Sequence, residues 1–291
     1  MKMVKKIKNI RMAPCLLCGF NSSAVIYRKD TWQYLQCNNC GLVSIYPKLS
    51  EIGVLNNYEA YLPTDILEIR KWEKMMRPVI ETSVRIIRSR TKIDHGRLLD
   101  IGCGFGFFLN AMKQNNWEVA GVEISKGGRQ YARDHYDIDI YSKPLETLSL
   151  PDNYFDAVTL FYVIEHVADP ITVLNEVNRI LKPGGLVLIR WPHTTPIVKL
   201  LGPLSKHLDL YHTPYHLYDF SKQTIKQTLT LSGFTGIETL VGGYTLAPDW
   251  INRWPSIIFG LTGEIVFRLS GRKLLLPGIS KTTVALKSSE P

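Results

Sequence analysis

Residues 98–108 constrain this chain more than any other segment. The apolar run Leu98-Leu99-Asp100-Ile101 ends in Gly102-Cys103-Gly104-Phe105-Gly106, and a helical apolar pattern follows from Phe107. A strand delivered into a glycine-rich turn and then a helix opens an α/β unit, with glycine permitting the tight turn and a close approach of ligand to backbone. Glu123 closes the next apolar run about 20 residues on, where an acidic side chain can accept hydrogen bonds from ribose hydroxyls. A dinucleotide fingerprint would want glycine at position 107, and Phe107 stands there. Asp100, just before the turn, suits a ligand with a cationic end better than a pyrophosphate.

From residue 96 onward strands and helices alternate. Apolar runs at 118–123, 138–141, 155–162 and 186–191 are separated by helical patterns at 107–115, 126–135 and 171–181, the last ended by the stop signal Lys182-Pro183-Gly184-Gly185. Runs apolar throughout, like 155–162 and 186–191, are what a parallel sheet covered on both faces requires. The fold class expected is therefore α/β, a doubly wound Rossmann-like sheet. A helix is expected at 221–232, and further strands at 236–241 and 282–287.

Ahead of this unit, residues 1–50 form a basic tail and a cysteine module, and 51–95 read as a helical linker or cap. Trp72, Met75, Met76, Val79, Ile80, Val84 and Ile87 recur there at spacings of three and four. Within the main domain, 96–291, an aromatic and histidine-rich segment spans 192–220 and an apolar insertion spans 247–276.

Five cysteines with no apolar stretch behind the charged N-terminus argue for a reducing compartment, a cytoplasmic location and no disulfide scaffold. Cys15-Leu-Leu-Cys18-Gly19 and Cys37-Asn-Asn-Cys40-Gly41 are two pairs separated by residues 19–36. That pattern is a tetrahedral zinc signature; four cysteines close the coordination sphere, so the metal is expected to be structural. A redox or nucleic-acid-contacting ribbon is the other reading of the same pairs. The formal net charge of +9 and the five cations of residues 1–12 suit a solvated tail, and also an electrostatic contact with nucleic acid or anionic lipid. No run of about 18 apolar residues is present to span a membrane.

The segments LLDIGCGFGFFL, VAGVEIS, FDAVTLFYVIEHVADP and LKPGGLVLI occur in that order over roughly 96–192. Together they resemble the class I S-adenosylmethionine-dependent methyltransferases. The resemblance implies S-adenosylmethionine as cofactor, with Asp100, Gly102, Cys103 and Gly104 lining its methionine moiety. It also implies Glu123 on the ribose and Ile124 against adenine. Pro144 and Leu145 fall where the family's backbone contacts adenine, although Ser142-Lys143-Pro144-Leu145-Glu146 departs from the commoner Gly-Asp pattern. Phe161 and Tyr162 should face the sulfonium, an aromatic surface beside a cation. CNNCGLV and NNYEAYL resemble the N-terminal part of deoxysugar C-methyltransferases, with a shorter spacer. A zinc-finger rRNA methyltransferase is the alternative.

Methyl transfer needs alignment, exclusion of water and, for a hydroxyl or acidic C–H acceptor, a general base. His216 is the first candidate, in the run Tyr211-His212-Thr213-Pro214-Tyr215-His216-Leu217-Tyr218-Asp219; Tyr215, His193 and His212 stand behind it. His166, in Glu165-His166 after the fourth strand of the domain, is the other. The expected acceptor is a small molecule or a glycan precursor such as a sugar nucleotide, methylated on oxygen or carbon; rRNA or tRNA is the alternative. Residues 250–276, with Trp254, Phe259 and Phe267 among Arg253, Arg268 and Arg272, read as a lid or core element, or as a peripheral membrane contact.

Overall fold

The computed structural model describes residues 13–48, 62–247, 250–278 and 280–289. The basic stretch 1–12 and nearly all of NNYEAYL (56–62) lie outside them. Strands β1 (Ser23–Lys29), β2 (Trp32–Cys37) and β3 (Val43–Tyr46) come first, and helix α1 (Ile66–Thr91) follows. Asp65 caps α1 by accepting from the backbone N–H groups of Leu67 and Glu68. Its buried residues Val79, Ser83 and Ile87 repeat every four, one stripe facing inward.

The main domain runs β4 (Arg97–Ile101), α2 (Phe107–Lys113), β5 (Glu118–Val122), α3 (Lys126–Tyr136), β6 (Ile140–Tyr141), β7 (Phe155–Phe161), α4 (Pro170–Ile180) and β8 (Leu181–Trp191). Then come α5 (Thr195–Leu201), β9 (Tyr218–Asp219), α6 (Lys222–Leu231), β10 (Phe234–Leu240), α7 (Trp250–Leu269) and β11 (Lys281–Lys287). Seven strands form one sheet in the order β10-β11-β8-β7-β4-β5-β6. The five adjacent strands from β8 to the β6 edge are parallel, and β11 and β10 complete the opposite edge in antiparallel register. Chain order reverses between β4 and β7, which opens a crevice at their carboxyl ends.

Alternation along the strands divides the core. Leu98 packs with Phe108, Leu109, Met112, Leu186 and Val284 on one face. Its neighbour Leu99 packs with Val158, Val187, Ile189 and the α4 residues Val173, Leu174 and Val177 on the other. Both leucines are fully buried, so replacing either with alanine should cost about 2–5 kcal/mol.

Two departures from the sequence reading stand out. Lys182-Pro183-Gly184-Gly185 does not separate helix from strand: β8 begins at Leu181, and the four residues form an irregularity inside it, between the pairs Phe155–Leu181 and Ala157–Leu186. Gly184 takes φ +75, and a Cβ at Gly185 would lie 2.8 Å from the Lys182 carbonyl oxygen, so glycine permits the bulge. The second departure is that the cysteine module does not pack as a separate unit. Its sheet has the order β1-β2-β3-β9, the last strand coming from the histidine-rich segment, and its Leu17, Tyr34, Val43 and Ile45 belong to the same core as Leu99.

No helix among the described residues is long and apolar enough to cross a membrane. Helix α7 nevertheless exposes Trp254, Ile258, Leu261, Ile265 and Leu269, a stripe at spacings of four and three.

Candidate active site

A cavity of about 460 Å³ opens at the carboxyl ends of β4, β5 and β7, within the size range of small-molecule sites. The glycine turn forms its floor. Gly102 has φ +67, and a Cβ there would lie 2.4 Å from Val163 Cγ2, so only glycine fits. Gly104 has φ +53 with nothing within 4 Å of an added Cβ, which leaves open space over the turn. Its N–H donates to Glu123 Oε2 at 2.8 Å, and the Ser125 N–H donates to Oε1 at 2.7 Å. The carboxylate is thereby held at the end of β5. Burial pushes its carboxyl up from the ordinary range, and the N–H donors oppose that.

Asp100 is buried at the end of β4 and accepts from Thr159 Oγ1 at 2.6 Å. Burial raises its carboxyl to about 8, against the pull of the Thr159 hydroxyl and with a smaller contribution from Glu123. Two buried carboxylates flanking an open glycine turn fit a ligand with ribose hydroxyls at one end and a cation at the other. Trp72, Met75, Met76 and Ile80 of α1 cover this part of the cavity, and Phe161 and Tyr162 line it from β7. Phe161 packs on Phe108 at 4.8 Å. Tyr162 takes φ +57, and its hydroxyl accepts from Arg190 Nε at 2.8 Å.

Of the residues expected at the cofactor, Asp100, Gly102, Cys103, Gly104, Glu123, Phe161 and Tyr162 line the cavity. Ile124, Pro144 and Leu145 are not among the lining residues. Leu145 is buried in the core and Pro144 is exposed, because Leu145 starts a short 3-10 turn that aims its side chain inward. The thiol of Cys103 is buried and held well above its ordinary range by that burial, as expected of a small turn residue and not of a nucleophile.

The far wall of the same cavity carries Glu165, His166, His193, His212 and His216. The ring centroids of His166 and His216 are 4.8 Å apart, and those of His212 and His216 5.0 Å. His166 Nδ1 lies 2.9 Å from the Tyr215 carbonyl oxygen; that oxygen can only accept, so Nδ1 carries the proton. Burial lowers His166 and His193 to about 4, with His212 and Lys281 adding to it respectively, and drives His216 well down. All three imidazoles are therefore neutral near pH 7. Glu165 is fully buried, and that burial raises its carboxyl to about 8. The Tyr215 side chain is largely exposed and does not line the cavity, so its part at this site is its carbonyl.

The histidine-rich segment is pinned by the cysteine module. Tyr34 stacks on Tyr211 at 4.1 Å, and the Ile45 N–H donates to the Leu217 carbonyl. Asp219 accepts from the backbone N–H groups of Thr194 and Thr195, tying the segment to α5. Sulfur atoms of Cys15 and Cys40 are 3.5 Å apart, those of Cys18 and Cys37 3.6 Å, and all four lie within 4.8 Å of one another. A tetrahedral ion with Zn–S bonds of about 2.3 Å sets its sulfurs roughly 3.8 Å apart, so this donor set fits zinc. Gly19 and Gly41, at φ +69 and +81, donate their N–H to the carbonyls of Cys15 and Cys37 and close both knuckles.

Three contributors escape a reading of the sequence alone. Thr159 and Tyr34 look like ordinary strand residues. Arg190 carries a signal, a cation inside an apolar strand run: it is buried, and it donates to the carbonyls of Val241, Gly242 and Gly243.

A family model described as a methyltransferase domain matches residues 99–189. A ubiquinone biosynthesis O-methyltransferase of Ruegeria pomeroyi is 34% identical over 131 residues, covering 43% of this chain and 53% of that protein. One of Dinoroseobacter shibae is 27% identical over 175 residues, 58% of this chain and 71% of that protein. The chain spans about half the length of the first of these relatives. Among solved structures, a methyltransferase of Thermotoga maritima matches with a TM-score of 0.53 at 19% identity, covering 81% of this chain and all of that one (100%). Phosphoethanolamine N-methyltransferase 2 of Haemonchus contortus, in complex with S-adenosyl-L-methionine, matches at 0.55 and 18% identity, covering 84% and 62%. At these identities the structures show a shared Rossmann-like methyltransferase fold.

Proposed function

We propose that this chain, whose residues 99–189 are a methyltransferase domain, transfers a methyl group from S-adenosylmethionine to a small-molecule or glycan acceptor. The observation that carries the reading is the division of one cavity into two chemically different ends, the carboxylates Asp100 and Glu123 at one and Glu165, His166 and His216 at the other. When bound, the cofactor supplies a sulfonium methyl that passes to the acceptor while the S–C electron pair returns to sulfur. Glu123 would hold the ribose, Asp100 the cationic amino-acid end and the aromatic wall at Phe161 and Tyr162 the sulfonium. The helix α1 residues Trp72, Met75 and Met76 would keep water from the reacting atoms.

At the other end the acceptor's oxygen or carbon loses its proton into the cluster around His216 and His166. His216 stands first, with Nδ1 buried and without a hydrogen-bond partner among the described residues. His193 lines the same wall. The similarity to ubiquinone biosynthesis O-methyltransferases favours a hydroxyl acceptor, and the dry, aromatic approach suits a ring-bearing one. Sugar nucleotides remain in the acceptor class because the cysteine module resembles that of sugar methyltransferases.

The ribbon would hold one structural zinc on Cys15, Cys18, Cys37 and Cys40. The exposed α7 stripe is our candidate for a peripheral contact with a bilayer surface, tested by co-sedimentation with anionic vesicles. The deciding experiment is turnover of S-adenosylmethionine against quinol precursors, sugar nucleotides and RNA. Transfer to either of the first two supports the reading. Transfer to RNA alone, with salt-dependent retention on heparin, would establish the alternative of an rRNA or tRNA enzyme. His216→Ala should lower turnover about 100-fold or more and leave cofactor affinity unchanged.

A further inference from the structure

One stretch of the cavity wall, at the end of β8, carries donors that methyl transfer by itself leaves without an acceptor. Tyr162, His193, Thr245 and Ser280 line it. It lies two to three strands across the sheet from Asp100, since the order runs β4-β7-β8-β11; at about 4.8 Å per strand that is roughly 10–14 Å. Tyr162 is held there at φ +57, a conformation that a bulky side chain keeps only where its surroundings enforce it. Its hydroxyl accepts from Arg190 Nε, and no hydrogen bond among the described residues takes up the phenol proton. His193 Nδ1 is buried and has no partner in the same sense.

Two cations stand behind these donors. Arg190 is buried, and its guanidinium donates to the carbonyls of Val241, Gly242 and Gly243 and to the hydroxyls of Thr282 and Tyr162. All five are neutral, so they fix the guanidinium in place and leave its charge whole. Lys281 of β11 is fully buried, pairs in register with Trp191 and donates from Nζ to the Leu276 carbonyl at 2.7 Å. The Trp191 ring in turn meets His193 edge-on, with centroids 5.6 Å apart. Burial and the nearby Arg190 lower Lys281 to about 7, and Lys281 adds to the lowering of His193. Asp219, which approaches from β9, is taken up by the N–H groups of Thr194 and Thr195 and by the Thr195 hydroxyl. Asp100 and Glu123 end β4 and β5, and Glu165 follows β7, so the acidic side chains of the cavity lie elsewhere. Buried positive charge of this kind is costly unless something negative meets it.

We infer that Tyr162 and His193, backed by Arg190 and Lys281, form a subsite for an acidic group, a carboxylate or a phosphate, carried by the methyl acceptor. The inference deepens the methyl-transfer reading and rests on it for the identity of the ligand as acceptor. Tyr162 and His193 donate to the anion's oxygens; a neutral imidazole still has one N–H to give, so His193 needs no added proton. Arg190 is a positioning residue that acts through the Tyr162 hydroxyl, and its guanidinium is charged at every working pH. Lys281 gains its proton as the anion arrives, because an opposite charge favours the ammonium form. An acid anchored at β8 fixes one end of the acceptor, so that its reacting atom is presented between the sulfonium end and His216.

The test is calorimetry on the full chain saturated with S-adenosylhomocysteine, whose own carboxylate then already occupies its place. The probes are benzoate and phenyl phosphate, with benzamide as the neutral isostere. At least one anion should bind about tenfold tighter than benzamide or better, on the scale of a charge-assisted hydrogen bond. The tighter of the two distinguishes a carboxylic acid acceptor from a phosphorylated one. Repeating the titration at pH 8 in buffers of different ionisation enthalpy should show uptake of about half a proton or more. Affinity should fall about tenfold in Lys281→Met and in Tyr162→Phe, with that for S-adenosylhomocysteine within about twofold. Anions that bind no tighter than benzamide, binding without proton uptake, or binding unchanged in both variants would overturn the subsite. The wild-type titrations decide even if a variant fails to fold. Loss of anion binding with S-adenosylhomocysteine bound refutes the subsite alone, and failure to bind S-adenosylhomocysteine refutes the methyl-transfer reading.

Discussion

The hydroxyl of Tyr34 donates to the carbonyl oxygens of His216 and Tyr211, at 3.1 and 3.2 Å. A side chain of the cysteine module thus holds the backbone from which a cavity histidine projects. Packing of Tyr34 on Tyr211 adds a second tie, and Tyr34 is fully buried. Its burial also holds the phenol well above its ordinary range, so it stays a donor at all working pH values.

Replacing this residue tests the coupling directly. Tyr34→Phe leaves two buried carbonyls without their donor and should cost about 1–3 kcal/mol of stability, read in denaturant unfolding. Turnover should fall while affinity for S-adenosylmethionine stays within about twofold, because nothing around Asp100 or Glu123 is touched. Unchanged turnover at full stability would mean that the ribbon does not position the acceptor end.

Removing the ribbon's metal should act on the same segment from further away. Protein prepared without chelators and freed of loosely bound metal should retain close to one zinc per chain on Cys15, Cys18, Cys37 and Cys40. Cys37→Ser should lose it, lower the melting temperature and loosen 208–219 in hydrogen exchange, since β9 pairs with β3. Metal analysis finding no zinc in the wild-type protein would refute the ribbon assignment.

Asp100 makes the unliganded protein sensitive to pH. Its folded carboxyl keeps its proton to about 8, whereas the unfolded chain releases it near 3.8. The raised value favours the folded state at low pH, and that advantage is lost as pH climbs from about 4 through 8. The melting temperature should therefore fall over this window, less steeply in Asp100→Asn. A cationic ligand end pairs with the ionised form, so S-adenosylmethionine affinity should rise toward pH 8 and level off above it, with proton release on binding near neutrality. A flat affinity profile would show that Asp100 does not meet the cation.

Two glycines of the turn separate conformational strain from collision. Gly104→Ala meets no atom, so only its φ of +53 is penalised; that costs about 1–2 kcal/mol, and weak cofactor binding should survive. Gly102→Ala adds a contact of 2.4 Å with Val163 and must displace the start of the loop leading to Glu165. It should abolish measurable binding in a cofactor titration. Equal effects from the two would contradict this account.

Much of the fold could be read from local pattern. The strands after residue 96 are long apolar runs, and the helix starts at Asp65, Ser125, Asp169 and Ser221 are marked by capping side chains. Asp100, Gly102, Gly104 and Glu123 line one cavity, and that grouping was legible because it depends on a strand, a turn and a spacing. Ile124, Pro144 and Leu145 do not line the cavity, and which way the short 3-10 turn aims Leu145 depends on the core beneath it, which a local pattern does not record. Lys182-Pro183-Gly184-Gly185 carries every mark of a helix stop, and the helix does end at Ile180; that Leu181 already pairs with Phe155, leaving these four residues as a bulge before Leu186, is a tertiary matter.

By itself the sequence determined the α/β sheet, the glycine turn with its two acidic partners, and the four-cysteine cluster. Each is a matter of period, spacing or side-chain type within a short stretch. Only the tertiary structure decided that β9 completes the ribbon's sheet, that Tyr34 holds His216, and that Glu165, His166 and His216 share one dry wall. Those contacts join residues as much as 182 positions apart. They exist because burying both faces of the sheet brings the loop after β7 against the segment before α6, and no local pattern records which distant carbonyl a buried hydroxyl will meet.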